Sequence, residues 1–307
     1  MAGRAEPADP DTAALLDERR KLTSLAYRLL GSLADAEDVV QETYARWYAM
    51  SPEEQAAIDS IGAWLTTVAS RICLDQLRSA RHRRERYVGE WIPEPLPDTT
   101  DWMGGPPNGP AVDPADRVTL DESVNMAFLV VLDSMTPAER VAFILHDVFR
   151  YPFAEVAEIV GRTPAACRQL ASSARGRLRA AEAPVTPTGR QAALVRAFKD
   201  AWEAQDIAAL VGLLDPQVTA IADGGGLVTA QLHPIQGSAQ VAQTVVDIAR
   251  RAPTLTLLER AVNGSPGLVF EQDGVVVTVM AFDVANDRIR RIWAVRNPEK
   301  LRPWTPA

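Results

Sequence analysis

The stretch FAEVAEIVGRTPAACRQLASSARGRLR, which runs from Phe153 to Arg179, decides the fold of the middle of the chain. Its apolar residues recur at helical spacing on both sides of Gly161, and glycine adopts a positive φ without strain. Thr163 can cap the next helix through its hydroxyl, and Pro164 suits a first helical position, where no N–H is needed. The stretch therefore predicts two helices joined by a tight turn, which is the helix-turn-helix arrangement.

The second predicted helix is positively charged, with five arginines and no acidic residue between Arg162 and Arg179. A cationic helix in this geometry suits the major groove of DNA, where phosphates attract it and base edges can be read. A small helical hairpin with a solvated basic face is the alternative interpretation of the same pattern. The residues opposite the apolar stripe are the candidate DNA contacts: Arg168, Gln169, Ser172 and Arg175.

Charge is unevenly distributed along the 307 residues, whose formal net charge is −8. Residues 61–86 hold six arginines against two acids, and residues 153–187 hold five arginines against three acids. Because phosphate neutralisation drives non-specific affinity for DNA, a chain of this net charge should bind DNA weakly by charge alone. The distribution therefore predicts two basic islands and a further partner that supplies affinity.

Helical periodicity predicts three helices in the first part of the chain: residues 11–30, the segment DAEDVVQETYARWYAM at 35–50, and residues 61–86. The second helix turns acidic residues outward, although acids in a first turn also suit the helix dipole. The third helix ends in a cluster of arginines beside Tyr87. Arginines next to aromatic residues can hold phosphates and stack on unpaired bases, and a solvated basic face is again the alternative.

The order of an acidic helix, the AWLTTVASRICLDQLRSAR helix, a linker and a helix-turn-helix resembles bacterial sigma factors of the extracytoplasmic-function (ECF) group. The resemblance implies that the first part is their promoter-melting region two and that Phe153–Arg179 belongs to their region four. It implies docking on the clamp of core RNA polymerase through Asp35, Asp38, Gln41 and Glu42. It also implies that the loop ending at Trp64 receives an unpaired promoter base, and that phosphates are held by Arg71, Arg78 and Arg81.

Residues 89–114 hold seven prolines and four glycines but few apolar residues, which predicts an extended linker without a core. Within it, the segment WIPEP at 91–95 places Trp91 on a stiff, polyproline-like backbone. A large apolar side chain in that setting is expected to anchor the linker in a pocket elsewhere in the protein.

Beyond a second, shorter linker the pattern changes to helices followed by strands. Strands are predicted near 218–222, 227–232, 255–261, 268–272, 275–283 and 288–296, with a helix over 238–251. Asp273-Gly274 is a strong hairpin-turn signal. Helices followed by a curled antiparallel sheet resemble the cone-shaped SnoaL-like fold.

Four short motifs occur in a fixed order: WIPEP at 91–95, DGGG at 223–226, NGSPG at 263–267 and NPEKL at 297–301. Together they resemble the ECF subgroup that carries a fused SnoaL-like C-terminal domain. In that subgroup the extension, rather than a separate anti-sigma protein, is thought to tune the sigma modules. The resemblance implies an interdomain regulatory contact that involves Trp91, Pro93, Pro95, Asp223, Gly224, Gly225 and Gly226.

The predicted fold is therefore multidomain. It consists of an all-α sigma region-two bundle (1–88), a Pro/Gly-rich linker (89–118), an all-α region-four domain with the helix-turn-helix (119–182), a short linker (183–189) and an α+β SnoaL-like cone (190–307).

The sequence predicts no catalytic residue, no metal site and no cofactor. Asp223 and His233 are candidates for acid–base chemistry in the cone, but an Asp that opens a glycine-rich turn commonly bonds its own backbone. Cys73 and Cys167 lie in apolar helical patterns and are expected to be free core thiols. Whether the cone binds a small-molecule ligand stays open.

The expected function is transcription initiation, with core RNA polymerase and promoter DNA as partners and no separate anti-sigma factor required. The longest apolar run is too short to span a bilayer and no signal segment opens the chain, so a cytoplasmic protein without membrane contact is expected. A ligand-sensing helix-turn-helix regulator, or a SnoaL-like isomerase or cyclase-type enzyme fused to a DNA-binding module, stays open. The acidic helix together with the arginine helix favours the sigma factor, because an ordinary repressor needs neither.

Overall fold

The computed structural model describes residues 10–84, 87–97, 124–181 and 188–305, with side chains described from residue 17 onward and, in the fourth helix, up to residue 79. The helices are α1 (Pro10–Leu30), α2 (Leu33–Tyr48), α3 (Pro52–Ala56), α4 (Ile61–Arg84), α5 (Met126–Asp133), α6 (Pro137–Phe143), α7 (Phe153–Val160), α8 (Pro164–Ala181), α9 (Thr188–Glu203), α10 (Ile207–Leu213) and α11 (Ser238–Arg251). The strands are β1 (Leu214–Asp223), β2 (Ile235–Gln236), β3 (Thr256–Val262), β4 (Ser265–Gln272), β5 (Val275–Ala285) and β6 (Arg288–Val295).

The described residues divide into two compact units. The first contains residues up to 78 and residues 136–173, and the second contains residues within 79–97, 124–135 and 174–305. The first unit is helical, and the second is built around one six-stranded sheet. The predicted class, helical modules followed by an α+β domain, is confirmed.

Helix starts in the first unit follow the capping residues of the sequence. The Ser32 hydroxyl accepts a hydrogen bond from the Asp35 N–H at 3.2 Å, which begins α2. Thr136 and Glu139 form a reciprocal capping box that begins α6. Ser51 forms a second capping box with Glu54 and begins α3.

The helix-turn-helix is present as the sequence predicts. Gly161 has φ 71° and ψ 41°, and its N–H donates to the Ala157 carbonyl at 2.9 Å, which ends α7. The Thr163 hydroxyl accepts from the Ala166 N–H at 3.2 Å and begins α8. The two cysteines, one of them Cys167 on α8, are buried and free.

The sheet of the second unit has the strand order β2-β1-β6-β5-β4-β3. The β1–β6 pair is parallel and the other pairs are antiparallel, so the sheet is mixed rather than wholly antiparallel. The predicted Asp273-Gly274 turn joins β4 to β5, with φ values of 53° and 77°. An expected strand at 227–232 is absent: this segment is an irregular loop in which the Leu227 and Val228 N–H groups turn back to the Gly224 carbonyl.

Alternate residues of the strands face two different apolar cores. Phe270 and Phe282 lie in one core with helices α9, α10 and α11, and their neighbours Val269 and Ala281 lie in the other. The second core is completed by α5 and by the segment around Ile92. The start of the predicted linker is therefore part of a core, because residues 92–96 are buried. Residues 98–118 of that linker lie outside the described residues.

Candidate nucleic-acid interface and the Asp223 junction

The outer face of α8 presents polar and cationic side chains. Arg168, Gln169 and Ser172 are exposed and Arg175 is half-buried, while Cys167, Ala171 and Ala174 face the core. The Arg168 guanidinium lies over the Phe153 ring, 5.6 Å from its centroid. This contact restrains an exposed arginine on the face where base contacts were predicted.

The outer face of α2 presents the predicted acidic set. Asp35, Asp38, Gln41 and Glu42 are exposed, and the opposite face buries Ala36, Val39, Val40, Thr43 and Trp47. Glu42 forms an ion pair with Arg46 one turn later. The arrangement leaves a mostly anionic helix face in solvent on a rigid apolar base, which suits a cationic partner surface.

Helix α4 carries the predicted phosphate-binding arginines. Arg71 and Arg78 are exposed, and Arg78 forms an ion pair with Asp75 at 3.1 Å. Trp64 is half-buried and packs edge-on against Trp47, with ring centroids 5.3 Å apart. The backbone of Arg81 belongs to α4, but its side chain lies outside the described residues.

Within the first unit, α4 contacts the helix-turn-helix segment. Arg71 Nη2 donates to the Glu158 carbonyl near the end of α7 at 3.2 Å. The Tyr151 hydroxyl donates to Thr66 Oγ1 at 2.9 Å. A side chain predicted to hold phosphate therefore bonds the backbone of the helix-turn-helix in this arrangement.

The second unit contains a buried polar junction around Asp223, which has no exposed surface. Its Oδ1 accepts from the Tyr87 hydroxyl at 2.6 Å and from the Gly225 N–H at 3.0 Å. Its Oδ2 accepts from the Ile92 N–H at 3.0 Å and from Lys300 Nζ at 2.7 Å. The carboxylate thus joins three segments that are distant in sequence, and four donors occupy its acceptor sites.

Lys300 supplies the positive charge of this junction. Its Nζ also donates to the Ile92 carbonyl at 2.5 Å, and it lies 4.3 Å from the centroid of the Trp91 ring and 5.1 Å from that of Tyr87. Both rings therefore cover the ammonium group in cation–π geometry. Because the pair is buried, its attraction is little screened, and removal of either partner leaves a costly unpaired charge.

Tyr87 carries the junction's hydroxyl. Its pKa is raised by burial first, and then by the hydrogen bond to Asp223 and by that carboxylate's charge. Asn297 Nδ2 donates to the same hydroxyl oxygen at 2.9 Å. The hydroxyl is therefore held as a neutral donor to Asp223.

At two of the three positions after Asp223, only glycine fits, because neighbouring atoms lie too close for a Cβ atom. A Cβ at Gly224 would lie 2.4 Å from the Val228 carbonyl oxygen, and one at Gly225 would lie 2.3 Å from Asn297 Nδ2. Gly225 and Gly226 also have φ of 62° and 73°. Any larger residue there would displace the turn that positions the carboxylate.

The segment at 91–95 is held mainly by hydrogen bonds of its backbone, such as the one from the Ile92 N–H to Asp223, and less by the Trp91 side chain. Pro93 and Pro95 are buried, and the Pro95 carbonyl accepts from Trp304 Nε1 at 2.8 Å. Sequence reasoning expected Trp91 to be the anchor, but Ile92 enters the apolar core, with 1% of its surface exposed, and Trp91 covers Lys300.

The sequence does not predict Tyr87, Asn297 or Lys300 as residues of the Asp223 junction. Tyr87 was expected to accompany the arginines of α4, and its hydroxyl instead bonds Asp223. Asn297 and Lys300 belong to the NPEKL motif, whose fixed order after DGGG was the available signal. His233, the other candidate for acid–base chemistry, is exposed on a loop.

In the described part of the chain, the histidine, cysteine and acidic side chains form no cluster of three or more with the arrangement of a metal site. None of its helices combines the length and apolar character needed to cross a membrane.

Comparison with known proteins places these features in one family. The model for sigma-70 region 2 matches residues 15–83, and the model for sigma-70 region 4 matches residues 125–178. The chain is 38% identical over 299 residues to the ECF RNA polymerase sigma factor SigJ of Mycobacterium tuberculosis, covering 92% of this chain and 90% of that protein. It is 34% identical over 297 residues to the probable ECF RNA polymerase sigma factor SigI of the same species, covering 96% of each.

A crystal structure of the Mycobacterium tuberculosis SigJ protein also matches. The TM-score is 0.72 at 33% sequence identity, and the match covers 94% of this chain and 98% of the other. The similarity therefore extends over the helical modules and the sheet together.

Proposed function

Because this chain belongs to the ECF RNA polymerase sigma factors, in the subgroup with a fused C-terminal SnoaL-like domain, we propose specific surfaces for its work in transcription initiation. It binds core RNA polymerase and directs promoter recognition. The proposed surfaces are the acidic face of α2 for polymerase and the exposed faces of α4 and α8 for promoter DNA. The observation that carries this proposal is that both sigma-70 region models fall on the helices with exposed charged faces.

Promoter reading is divided between two modules in this proposal. Arg168, Gln169 and Ser172, with Arg175, contact the upstream element from α8, where an arginine can bond a guanine edge with both guanidinium nitrogens. Arg71 and Arg78, with Arg81, hold phosphates of the opened downstream element beside Trp64. The matched segments 15–83 and 125–178 lie inside the proposed domains 1–88 and 119–182.

Core polymerase supplies the affinity that a net charge of −8 does not. The exposed set Asp35, Asp38, Gln41 and Glu42 is the proposed docking face on the polymerase clamp. Apolar packing of α2 on its inner side supports the proposal, because the acidic side chains have no structural task in the core.

The C-terminal domain tunes the sigma modules in cis through the Asp223 junction. The Tyr87 and Ile92 contacts support this role, because they bind the end of the region-two domain and the start of the linker to the turn after β1. Tethering makes the contact intramolecular, so a small interface can be sufficient. A separate anti-sigma factor is then not required, and the protein works where polymerase and chromosome are, in the cytoplasm.

Catalysis by the cone is not part of this function. Four donors bond the Asp223 carboxylate, and the apolar core beside α9 to α11 is filled by side chains such as Phe198, Trp202 and Phe270. A general base needs an acceptor site directed at a substrate, and this carboxylate directs its acceptors at the protein itself.

Run-off transcription with purified core polymerase tests the proposal. The double variant Arg71→Ala/Arg78→Ala should still bind polymerase, give weaker permanganate reactivity of promoter thymines and show a reduced salt dependence of opening. Arg196→Ala/Arg250→Ala removes the same charge from exposed sites on α9 and α11 and is the control. Absence of transcript with the unaltered protein on promoters selected with its own holoenzyme would overturn the sigma assignment, and full opening by the α4 variant at raised salt would overturn the role of its arginines.

A further inference from the structure

A second polar junction in the same unit is centred on Asn263, which is 1% exposed. Its N–H donates to the Leu96 carbonyl at 2.9 Å, and its Oδ1 accepts from the Leu96 N–H at 3.0 Å. Next to this pair, Pro97 and Val262 form an isolated antiparallel bridge. The end of β3, at the edge of the sheet, is therefore hydrogen-bonded to the linker segment at Leu96 and Pro97.

The Asn263 side chain also bonds the backbone at the other end of the linker. Asn263 Nδ2 donates to the Val124 carbonyl at 2.9 Å. The next residue, Asn125, donates from Nδ2 to Ser265 Oγ at 2.7 Å and caps α5 through its Oδ1. One buried amide thus binds Leu96 with its oxygen and Val124 with its nitrogen.

These two contacts shorten the distance that the linker between regions two and four can span. Residues 97–123 lie between the two bonded points, and 27 residues of extended chain can span roughly 90 Å. With both bonds made, the Leu96 nitrogen and the Val124 oxygen lie within about 8 Å of each other across one amide group. These residues then add almost nothing to the separation of region two and region four.

We propose that Asn263 is a positioning residue that limits how far regions two and four can separate, by closing the linker at Leu96 and Val124. The inference rests on the proposed sigma-factor function, because the two modules are taken to read two promoter elements. While Asn263 holds both points and Asp223 holds Tyr87 and Ile92, the folded C-terminal domain, rather than linker length, limits the largest separation that the two modules can reach.

The backbone conformation at position 263 is one that asparagine and glycine both adopt, so glycine can replace Asn263 without strain. Asn263 has φ 52° and Gly264 has φ 72°, which are values that Asn-Gly turns adopt readily between two strands. Glycine at position 263 accepts that φ and removes the whole side chain, so Asn263→Gly deletes both side-chain bonds without backbone strain and keeps the backbone bond to the Leu96 carbonyl. Asn263→Asp keeps the acceptor for Leu96 but places a carboxylate oxygen opposite the Val124 carbonyl.

Asn286 offers a matched control. It has φ 51° in the β5–β6 turn and is exposed, so Asn286→Gly makes the same change in a turn that holds no linker. The thermal midpoint of each variant shows whether its fold is retained.

The first experiment measures transcription by holoenzyme on promoters whose spacer is lengthened one base pair at a time. Output is normalised to the preferred spacer of the unaltered protein. Because Asn263→Gly weakens the closure at Leu96 and Val124, its relative output on spacers lengthened by two or three base pairs should rise about threefold or more. Asn263→Asp should show part of this gain and Asn286→Gly none. An Asn263→Gly profile that is unchanged, or lowered by one factor at all spacers as a structural defect would give, overturns the inference.

The second experiment follows amide hydrogen exchange in the free protein and does not depend on transcription. Asn263→Gly should speed exchange of the Leu96 N–H about tenfold or more and leave the Ile92 N–H, which bonds Asp223, unchanged. Unchanged protection at Leu96 overturns the closure. If Leu96 responds but the unaltered holoenzyme gives no transcript, the proposed function fails while the closure stands.

Discussion

The exposed faces of α2 and α8 and the buried Asp223 junction represent two kinds of proposed functional surface in one chain. On the helices, most of the proposed contact residues point to solvent, and the apolar stripe beneath them stabilises the fold. At the junction, Asp223 and Lys300 are buried, and their contacts join three segments that are distant in sequence. Variants of the first kind should alter binding with the fold intact, whereas variants of the second kind should alter folding and activity together.

Salt should separate the two surfaces as well. Exposed charges farther apart than a Debye length, about 8 Å at physiological ionic strength, are largely screened. The Asp223–Lys300 pair is 2.7 Å long and buried, and therefore little screened. Raised salt should weaken binding to polymerase and DNA while leaving the junction closed.

The largest effect is expected at the α2 face. Asp38→Lys/Glu42→Lys reverses two exposed charges, and we expect loss of co-purification with core polymerase and an unchanged thermal midpoint, because neither side chain is part of the core. Asp200→Lys/Glu203→Lys makes the same change on the exposed side of α9 and should bind polymerase normally. Normal holoenzyme assembly by the α2 variant would contradict the assignment of this face.

The next effect is expected at the junction. Asp223→Asn keeps the shape of the side chain but leaves the Lys300 ammonium without its buried partner, which typically costs about 3 kcal/mol. Urea unfolding should show this loss, and Lys300→Met in addition should recover most of it. The exposed Arg190–Asp287 pair is the comparison, and Asp287→Asn should have much less effect. Equal losses of unfolding free energy in Asp223→Asn and Asp287→Asn would mean that burial does not strengthen the Asp223–Lys300 pair.

A smaller effect is expected on α8. Arg168→Ala should reduce discrimination at one upstream base pair by about 1–3 kcal/mol and leave polymerase binding unchanged. Selection from a randomised upstream element gives the readout. Arg177→Ala, exposed farther along the same helix, should leave base preference unchanged. An identical preference of the Arg168 variant and the unaltered protein would remove Arg168 from the reading set.

The smallest effect concerns pH. Folding raises the pKa of Tyr87, so the native state binds this proton more tightly than the unfolded chain does. Its stabilisation is complete below the unfolded pKa of about 10 and is lost as pH rises above it. Between pH 8 and pH 10.5, the unaltered protein should lose more unfolding free energy than Tyr87→Phe. Tyr48→Phe, at a 68% exposed position, is the control, and equal slopes for all three proteins would exclude this linkage.

The helical modules were predictable because local chemistry determines them. Gly161, Thr163 and Pro164 mark the helix-turn-helix in sequence and occupy the expected positions in the structure. The exposed faces follow from helical periodicity alone, since residues on one face of a helix are a few positions apart.

The sheet domain was predictable in class but not in its connections. The expected strand at 227–232 carries apolar residues at strand spacing, yet it follows the turn at Gly225 and Gly226 and leaves Leu227 and Leu232 exposed. Likewise, no local pattern joins Tyr87 to Asp223 or Asn263 to both Leu96 and Val124. These contacts depend on where the sheet places its turns, which is a property of the whole domain.

The central claim is that the C-terminal domain acts on the sigma modules through the Asp223 junction. Its most direct test is a double-mutant cycle in run-off transcription, with Trp91→Ala and Asp223→Ala alone and together in the full chain, and with Trp91→Ala also in a chain ending at residue 187. We expect that each single variant changes transcription, that the double variant resembles the stronger single variant, and that Trp91→Ala has no effect in the shortened chain. Multiplicative single effects, or a shortened chain that still responds to Trp91→Ala, would contradict it.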